Sequence, residues 1–177
     1  DSLYLRPVVE SFDRWSFCRF QYSFMDADHL PGSAAVGYAA EKGLAVVAGG
    51  PLKQGRLVNH LPDNVAALWE GRDPAEQALR WVWNHSGVAS AVIDVATPEQ
   101  VARYAALTEQ ASTGSLSVAD EVRISRVREA YRGLRTVNCT GCRACMPCPR
   151  GIDVPRIFEL HNDAAMYGDT RLASMLY

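Results

Sequence analysis

Through the first 112 residues short apolar runs alternate with longer segments of helical period, the pattern of consecutive βα units feeding a parallel sheet. Three strands are predicted, Phe17 to Phe24, Leu44 to Gly49 and Ser90 to Val95, each compact and rich in β-branched or aromatic residues. Between them the pattern predicts a helix from Ser33 to Lys42 ended by Gly43, and another from Pro74 to Asn84 with Asp73 placed to cap its first turn. A third helix, Thr97 to Ala111, opens on a capping box: Thr97 as N-cap, Pro98 at the first helical position and Gln100 at the third. Arg6 to Phe12 reads as a helix whose preceding strand is missing, so the chain is expected to start in mid-domain.

A linker follows where Ser, Thr and Gly crowd together, between residues 113 and 117. Beyond it Val118, Val122, Val127, Tyr131 and Leu134 suggest one apolar face of a helix running to about Arg132 and stopped by Gly133. Its other face carries Arg123, Arg126, Arg128 and Arg132, either a solvated surface or a docking face for an acidic redox partner. The stretch from Cys139 to Gly151 is too dense in Cys, Pro and Gly to be helical throughout. A terminal helix is predicted from Asp153 to about Tyr167, with Pro155 in its first turn and Gly168 past its end. The expected organisation is thus a βα unit series over 1–112, the linker, and a helical extension over 118–177.

Composition narrows the function. With 48% apolar and 21% charged residues the chain is ordinary globular protein, and 18 Lys+Arg against 20 Asp+Glu give a formal charge of -2. Nothing in that balance concentrates phosphate backbones, so nucleic acid is not an expected partner. No apolar run approaches the roughly 20 residues that cross a bilayer, and the first residues lack the pattern of a signal peptide. The expectation is an unanchored cytoplasmic protein with no membrane partner.

Four of the five cysteines, Cys139, Cys142, Cys145 and Cys148, form C-x2-C-x2-C-x2-C followed by Pro149. They stand too close for an ordinary disulfide framework and suit metal ligation in a reducing compartment. Soft thiolates select zinc, copper(I) or iron–sulfur. Structural zinc usually takes two close pairs separated by a long spacer, whereas one continuous loop can wrap a larger cubane, so the spacing favours a [4Fe–4S] cluster. Zinc and free structural thiols are the alternatives. Pro149 pulls the chain away from the metal, and backbone N–H groups around Gly141 and Gly151 are candidate donors to the sulfurs. Cys18 reads as a small core residue of the first strand, and His161 as a solvated helix residue or an outer partner of the metal site.

The tail CTGCRACMPCPRGIDVPRIFELHNDAAMYGD resembles the C-terminal extension of a subgroup of aldo-keto reductases that carry a four-cysteine iron–sulfur site. Upstream, FCRFQYSFMD, EKGLAVVAGGPLKQGRL, PAEQALRWVWNH and ATPEQVARY resemble, in the same order, the sixth to eighth βα units of that barrel. The resemblance implies an α/β fold, part of a (β/α)8 barrel followed by a small helical iron–sulfur domain, with cofactor and substrate at the C-terminal ends of the strands. A whole barrel takes about 250 residues, so the remaining barrel half must come from the same or another polypeptide. The family's Asp, Tyr, Lys and His catalytic set belongs to that half, and no catalytic residue is assigned here.

Among the positions that the resemblance marks for a nicotinamide cofactor, Pro51, Leu52, Lys53, Gln54 and Gly55 stand where a PLxxG turn approaches the pyrophosphate, with a plain βα turn as the alternative. Gln100 matches a Gln/Arg of the adenosine-binding segment, or serves the capping box alone. Other positions depart from the family pattern. Arg19 replaces a Gln that holds the carboxamide, Gly49 replaces a stacking side chain, Asp94 falls near the 2′-phosphate site, and Arg103 and Tyr104 replace a Glu-Asn pair at the adenine. Asp94 disfavours NADP and tolerates a ribose hydroxyl, while Gly49 and Gly50 suggest room for a flavin or a partner's side chain. Three functions are expected in parallel: an iron–sulfur oxidoreductase whose cluster passes electrons to or from a barrel site, with NAD(P) or flavin as candidate further cofactor; a non-catalytic electron-transfer or assembly subunit; and a zinc-stapled structural module.

Overall fold

The computed structural model describes residues 2–28 and 32–176. Three parallel strands, β1 (Phe17–Gln21), β2 (Ala45–Gly49) and β3 (Val88–Val92), lie in that order in one sheet, with Phe17 opposite Ala45 and Val47 opposite Ser90. The predicted strands are all present, trimmed at their ends; β3 begins two residues early. Among the described residues eight α-helices connect and follow them: α1 (Ser2–Glu10), α2 (Gly32–Glu41), α3 (Asp63–Ala66), α4 (Pro74–Trp83), α5 (Pro98–Thr108), α6 (Val118–Gly133), α7 (Val154–Tyr167) and α8 (Thr170–Leu176). Single 3-10 turns at Phe24–Asp26 and Ala67–Trp69 complete the order. Among the described residues no helix is long and apolar enough to cross a membrane.

The helix starts follow their capping chemistry. Asp73 accepts from the Ala75 N–H at 2.9 Å, and Thr97 from the Gln100 N–H at 3.3 Å. Ser117 accepts from the Asp120 N–H at 3.2 Å while its hydroxyl donates to the Asp120 carboxylate at 2.7 Å, so the end of the linker is also the cap of α6. That hydroxyl, assisted by Arg123 and Arg72, holds the Asp120 carboxyl below the usual carboxylate value against the opposing effect of burial.

One face of the sheet is covered. Val46 and Ala48 of β2, with Cys18 and Phe20 of β1 and Val88 and Ala91 of β3, pack with Val36 and Ala39 of α2 and Val82 of α4. The other face is open, for Phe17, Arg19 and Gln21 are exposed, Phe17 by 60%. Parallel sheets are normally buried on both faces, and this one is open on one of them.

A second core cluster joins the βα units to the extension. Phe24, Leu52, Leu57, Val65, Trp69 and Leu79 pack in one cluster with Ile124, Val127 and Tyr131 of α6 and Met166 and Tyr167 of α7. The apolar face of α6 differs from the one expected. Val118 and Val122 are 76% and 54% exposed, whereas Asp120, Ile124, Val127 and Tyr131 are buried. Steps of four and three keep those four on one stripe, while the step of five from Val122 to Val127 turns about 140° around a 3.6-residue helix.

The arginines of α6 are not a free docking face. Arg123 pairs with Asp120 at 2.8 Å and with Glu70 at 3.1 Å, Arg128 and Arg132 reach Asp28 at 3.3 and 3.1 Å, and Arg126 faces Glu70 at 3.9 Å. They fasten the helix to the preceding βα units.

Tyr131 is buried with no hydrogen-bond partner for its hydroxyl among the described residues, and burial pushes its pKa up. Tyr131→Phe is expected to raise stability by about 1 kcal/mol, because an unpaired buried hydroxyl costs more than it returns. A rise in Tm checks this, and a fall of similar size would show that the hydroxyl has a partner.

Candidate functional site

Two clefts open at the ends of the strands and a third at the cysteine segment. The turn that leaves β2 brings Leu52, Lys53, Gln54 and Gly55 over the C-terminal end of the sheet, with positive φ at Lys53 (48°), Gln54 (57°) and Gly55 (84°). Pro51 and Leu52 are buried and anchor the turn from below, while Gln54 is exposed. The N–H groups of Lys53, Gly55, Arg56 and Leu57 donate to carbonyls within the turn at 2.9–3.3 Å. Fewer donors are left for a phosphate than a free loop would present.

Leu52, Gln54 and Gly55 line a cleft of about 210 Å³ together with Asp94, Gln100 and Tyr104. Four of the six residues singled out from the sequence for the cofactor, Leu52, Gln54, Gly55 and Gln100, therefore line one cleft, while Lys53 faces the neighbouring one and Pro51 lines neither. Local duties occupy several of them. Gln100 accepts the Ala96 N–H at 2.7 Å through its side-chain oxygen, so it takes part in the cap as well as lining the cleft. Arg103 bonds to Asp73, and Tyr104 is buried in the core. Among the described residues no cation lines this cleft, and the carboxylate that does is Asp94.

Gly49 and Gly50 do not open free space. A β-carbon at Gly50, whose φ is 55°, would stand 2.4 Å from the Gln21 side-chain oxygen, and one at Gly49 would stand 3.3 Å from the Phe20 carbonyl. Gln21 occupies the volume expected for a bulkier group.

A second cleft, about 270 Å³, lies between the strand ends and the extension. Lys53 Nζ meets Asp26 at 2.7 Å, and the Ser23 hydroxyl donates to the same carboxylate at 2.6 Å. Arg56 donates to Asp163 of α7 at 2.8 Å and to the Lys53 carbonyl at 3.2 Å, with its guanidinium 4.9 Å from the Tyr167 ring centre. Burial, and then the Asp163 charge, push the Tyr167 pKa up. Arg56 thus couples the turn after β2 to α7 through one planar group.

The third cleft, about 300 Å³, belongs to the cysteine segment and is lined by Arg135, Cys139, Gly141, Arg143, Asn162 and Asp163 among others. Residues 135–153 contain no helix or strand, and loops beyond about 12–15 residues without structure of their own are usually functional. Cys139, Cys142 and Cys145 are exposed, Cys148 is half-buried, and none of the five cysteines is in a disulfide. The Ala144 N–H, and next the Thr140 hydroxyl, hold the Cys142 thiol below its ordinary value. Four accessible thiols in ten residues fit a soft metal or a cluster by donor chemistry. Among the described residues no three His, Cys, Asp or Glu side chains converge as ligands, so gathering the four sulfurs requires the loop to tighten. Cys18 packs in the sheet core, and His161 is exposed.

Asn162 is the residue the sequence pattern did not reveal. Nearly buried on α7, it accepts the Thr136 and Val137 N–H groups at 3.1 and 3.0 Å and donates to the Val137 carbonyl at 2.8 Å. It pins the backbone two residues before the first thiol. Asn162→Ala leaves these groups unpaired and is expected to cost about 1–3 kcal/mol. Faster hydrogen exchange over residues 136–148 than in the parent chain checks it; unchanged exchange there would deny the anchor.

A parallel sheet with its clefts at the C-terminal strand ends, followed by helices folded onto that end, is the architecture of part of an α/β barrel. Within that class the likeness is to aldo-keto reductases. The chain superposes on an aldo-keto reductase from Bacillus halodurans in its holo form with a TM-score of 0.54 and 22% identity, covering 68% of this chain and 46% of that one. The apo form of the same reductase gives 0.51 and 22%, covering 68% and 47%. The chain spans just under half the length of that enzyme, and the likeness is one of fold. No family model matches the chain, and none of the curated proteins does.

Proposed function

We propose that the chain is the C-terminal part of an iron–sulfur oxidoreductase of aldo-keto reductase type, with Cys139, Cys142, Cys145 and Cys148 holding a [4Fe–4S] cluster beside the mouth of the barrel. One observation carries the reading: the cleft of the cysteine loop and the cleft at the strand ends share Arg135, Glu159 and Asp163. Whatever the thiolates hold is next to the place where barrel chemistry is done. When bound, the cluster supplies single-electron transfer.

The chain's own residues place and insulate. Asn162 fixes where the loop begins, and Arg56 holds α7 against the turn after β2. Asp26 neutralises Lys53 at 2.7 Å, which leaves that lysine little charge to offer a phosphate. With no cation beside Asp94, the adjoining cleft suits a ribose hydroxyl better than a 2′-phosphate, which supports NAD over NADP in this proposal. The remaining barrel strands, on the same or another polypeptide, would cover the open sheet face and bring the catalytic set.

A second reading is favoured by Arg103 and Tyr104, which an ion pair and the core occupy at the positions matched to the adenine. In it the barrel segment is a docking body and the chain a non-catalytic electron-transfer or assembly subunit. Spectra of anaerobically purified protein test the shared part. A brown chromophore and a paramagnetic signal on reduction are expected, and a colourless protein with stoichiometric zinc would leave a zinc-stapled module instead. Turnover with NADH once the other barrel half is supplied separates the enzyme from the subunit.

A further inference from the structure

The charges around the cysteine loop are arranged differently from those on α6. Between Leu134 and Ile152 the chain contains Arg135, Arg143 and Arg150 and no Asp or Glu. All three are exposed, and none lies within ion-pair distance of a carboxylate among the described residues, whereas each arginine of α6 faces one. Arg135 and Arg143 line the same cleft as Cys139. Cys142 and Cys145 are exposed on the same loop, Cys142 directly beside Arg143 in the chain.

We infer that this loop is the docking face for an acidic one-electron carrier protein, steered by Arg135, Arg143 and Arg150. The inference rests on the iron–sulfur reading above and names the partner of that site. Two independent observations carry it. Unpaired surface cations clustered on a chain of net charge -2 create a local positive potential that raises the encounter rate with an acidic surface. Exposed thiols put the metal group within reach of whatever binds there. A cluster held by the four thiolates would accept one electron from the reduced carrier, the carrier being oxidised by one electron with no bond or proton changing place, and the arginines would steer and seat that carrier. The sequence pattern left α6 as either a solvated surface or a docking face for such a partner; its ion pairs are internal, and three unpaired arginines lie on the loop.

A competing duty for the same arginines is to offset the negative charge of four thiolates. The two differ in what they control: charge compensation governs loading, and steering governs association alone. The test uses the full chain purified anaerobically, with oxidised plant-type ferredoxin as the acidic probe and cytochrome c as the basic one, and association rates measured by surface plasmon resonance. The expected result is binding of ferredoxin over cytochrome c, weakening as ionic strength rises. Arg143→Glu combined with Arg150→Glu should slow ferredoxin association by about ten-fold or more, with iron content and the reduced-state signal unchanged. Arg126→Glu on α6 should leave the rate as it was.

An iron-loaded chain that ignores ferredoxin, binds both probes alike or tolerates the double reversal overturns the docking face and leaves the cluster standing. Loss of iron in the double variant assigns the arginines to loading and overturns it equally. A colourless parent chain removes the cluster reading and this inference together.

Discussion

On the proposed four-thiolate reading, Cys142→Ala is expected to strip or convert the iron–sulfur group while the sheet and both core clusters keep their fold. The thiol is exposed and contributes nothing to either cluster, so its loss acts through ligation alone. Iron per chain should fall far below the parent value and the visible chromophore should fade, with Tm nearly constant for the core transition. Cys18→Ala is the control. Its sulfur packs against the sheet core, where burial pushes the thiol pKa up, and its removal should cost about 1 kcal/mol without touching iron content. Full iron in the Cys142 variant would defeat the four-thiolate assignment, and loss of iron in the Cys18 variant would mean that the fourth ligand had been misidentified.

Trp69→Ala is expected to destabilise the whole chain by about 3–5 kcal/mol, the range for truncating a buried aromatic. Trp69 sits edge-on to Phe24 with ring centres 6.0 Å apart, in the cluster that Ile124 and Val127 also join. Its indole N–H is buried without an acceptor, which lowers the cost of losing it and places the effect towards the bottom of that range. Because βα units and extension share this cluster, their unfolding should coincide when followed by near-ultraviolet dichroism and by hydrogen exchange in α7. Two separated transitions would show that residues 118–177 are stable by themselves.

The sequence and the structure agree where a local signal decided the outcome. Asp73 with Pro74, and Thr97 with Pro98, start helices because each cap satisfies a backbone N–H that nothing else reaches. Strands were legible from their β-branched runs, with ends that tertiary pairing decides. The face of α6 was not legible. Its buried stripe includes Asp120, a residue that hydropathy places outside, and omits two valines that hydropathy places inside. Satisfied by Ser117 and Arg123, the carboxylate can be buried, and no apolar pattern records that. Trp69 lies in a short turn after a four-residue helix, too brief for any period to announce.

In the site, the spacing of the thiols was legible and their surroundings were not. The meeting of Leu52, Gln54, Gly55 and Gln100 in one cleft follows from the order of βα units, which the resemblance supplied. The roles of Asn162 and Arg56 depend on contacts across 25 and 107 residues, and a lone Asn on a helix carries no such sign. Gln21 beside Gly50 is a similar case: two glycines suggest vacancy, and only the fold shows the amide that fills it.

The uncovered side of the sheet has a practical meaning for handling the protein. β1 and β3 each present a rim of backbone donors and acceptors that no described neighbour takes up, and β1 also exposes Phe17. Such rims zip onto one another in concentrated solution, so colloidal behaviour becomes a sensor: a companion that seats correctly on the arc should turn a clumping preparation into a monodisperse one.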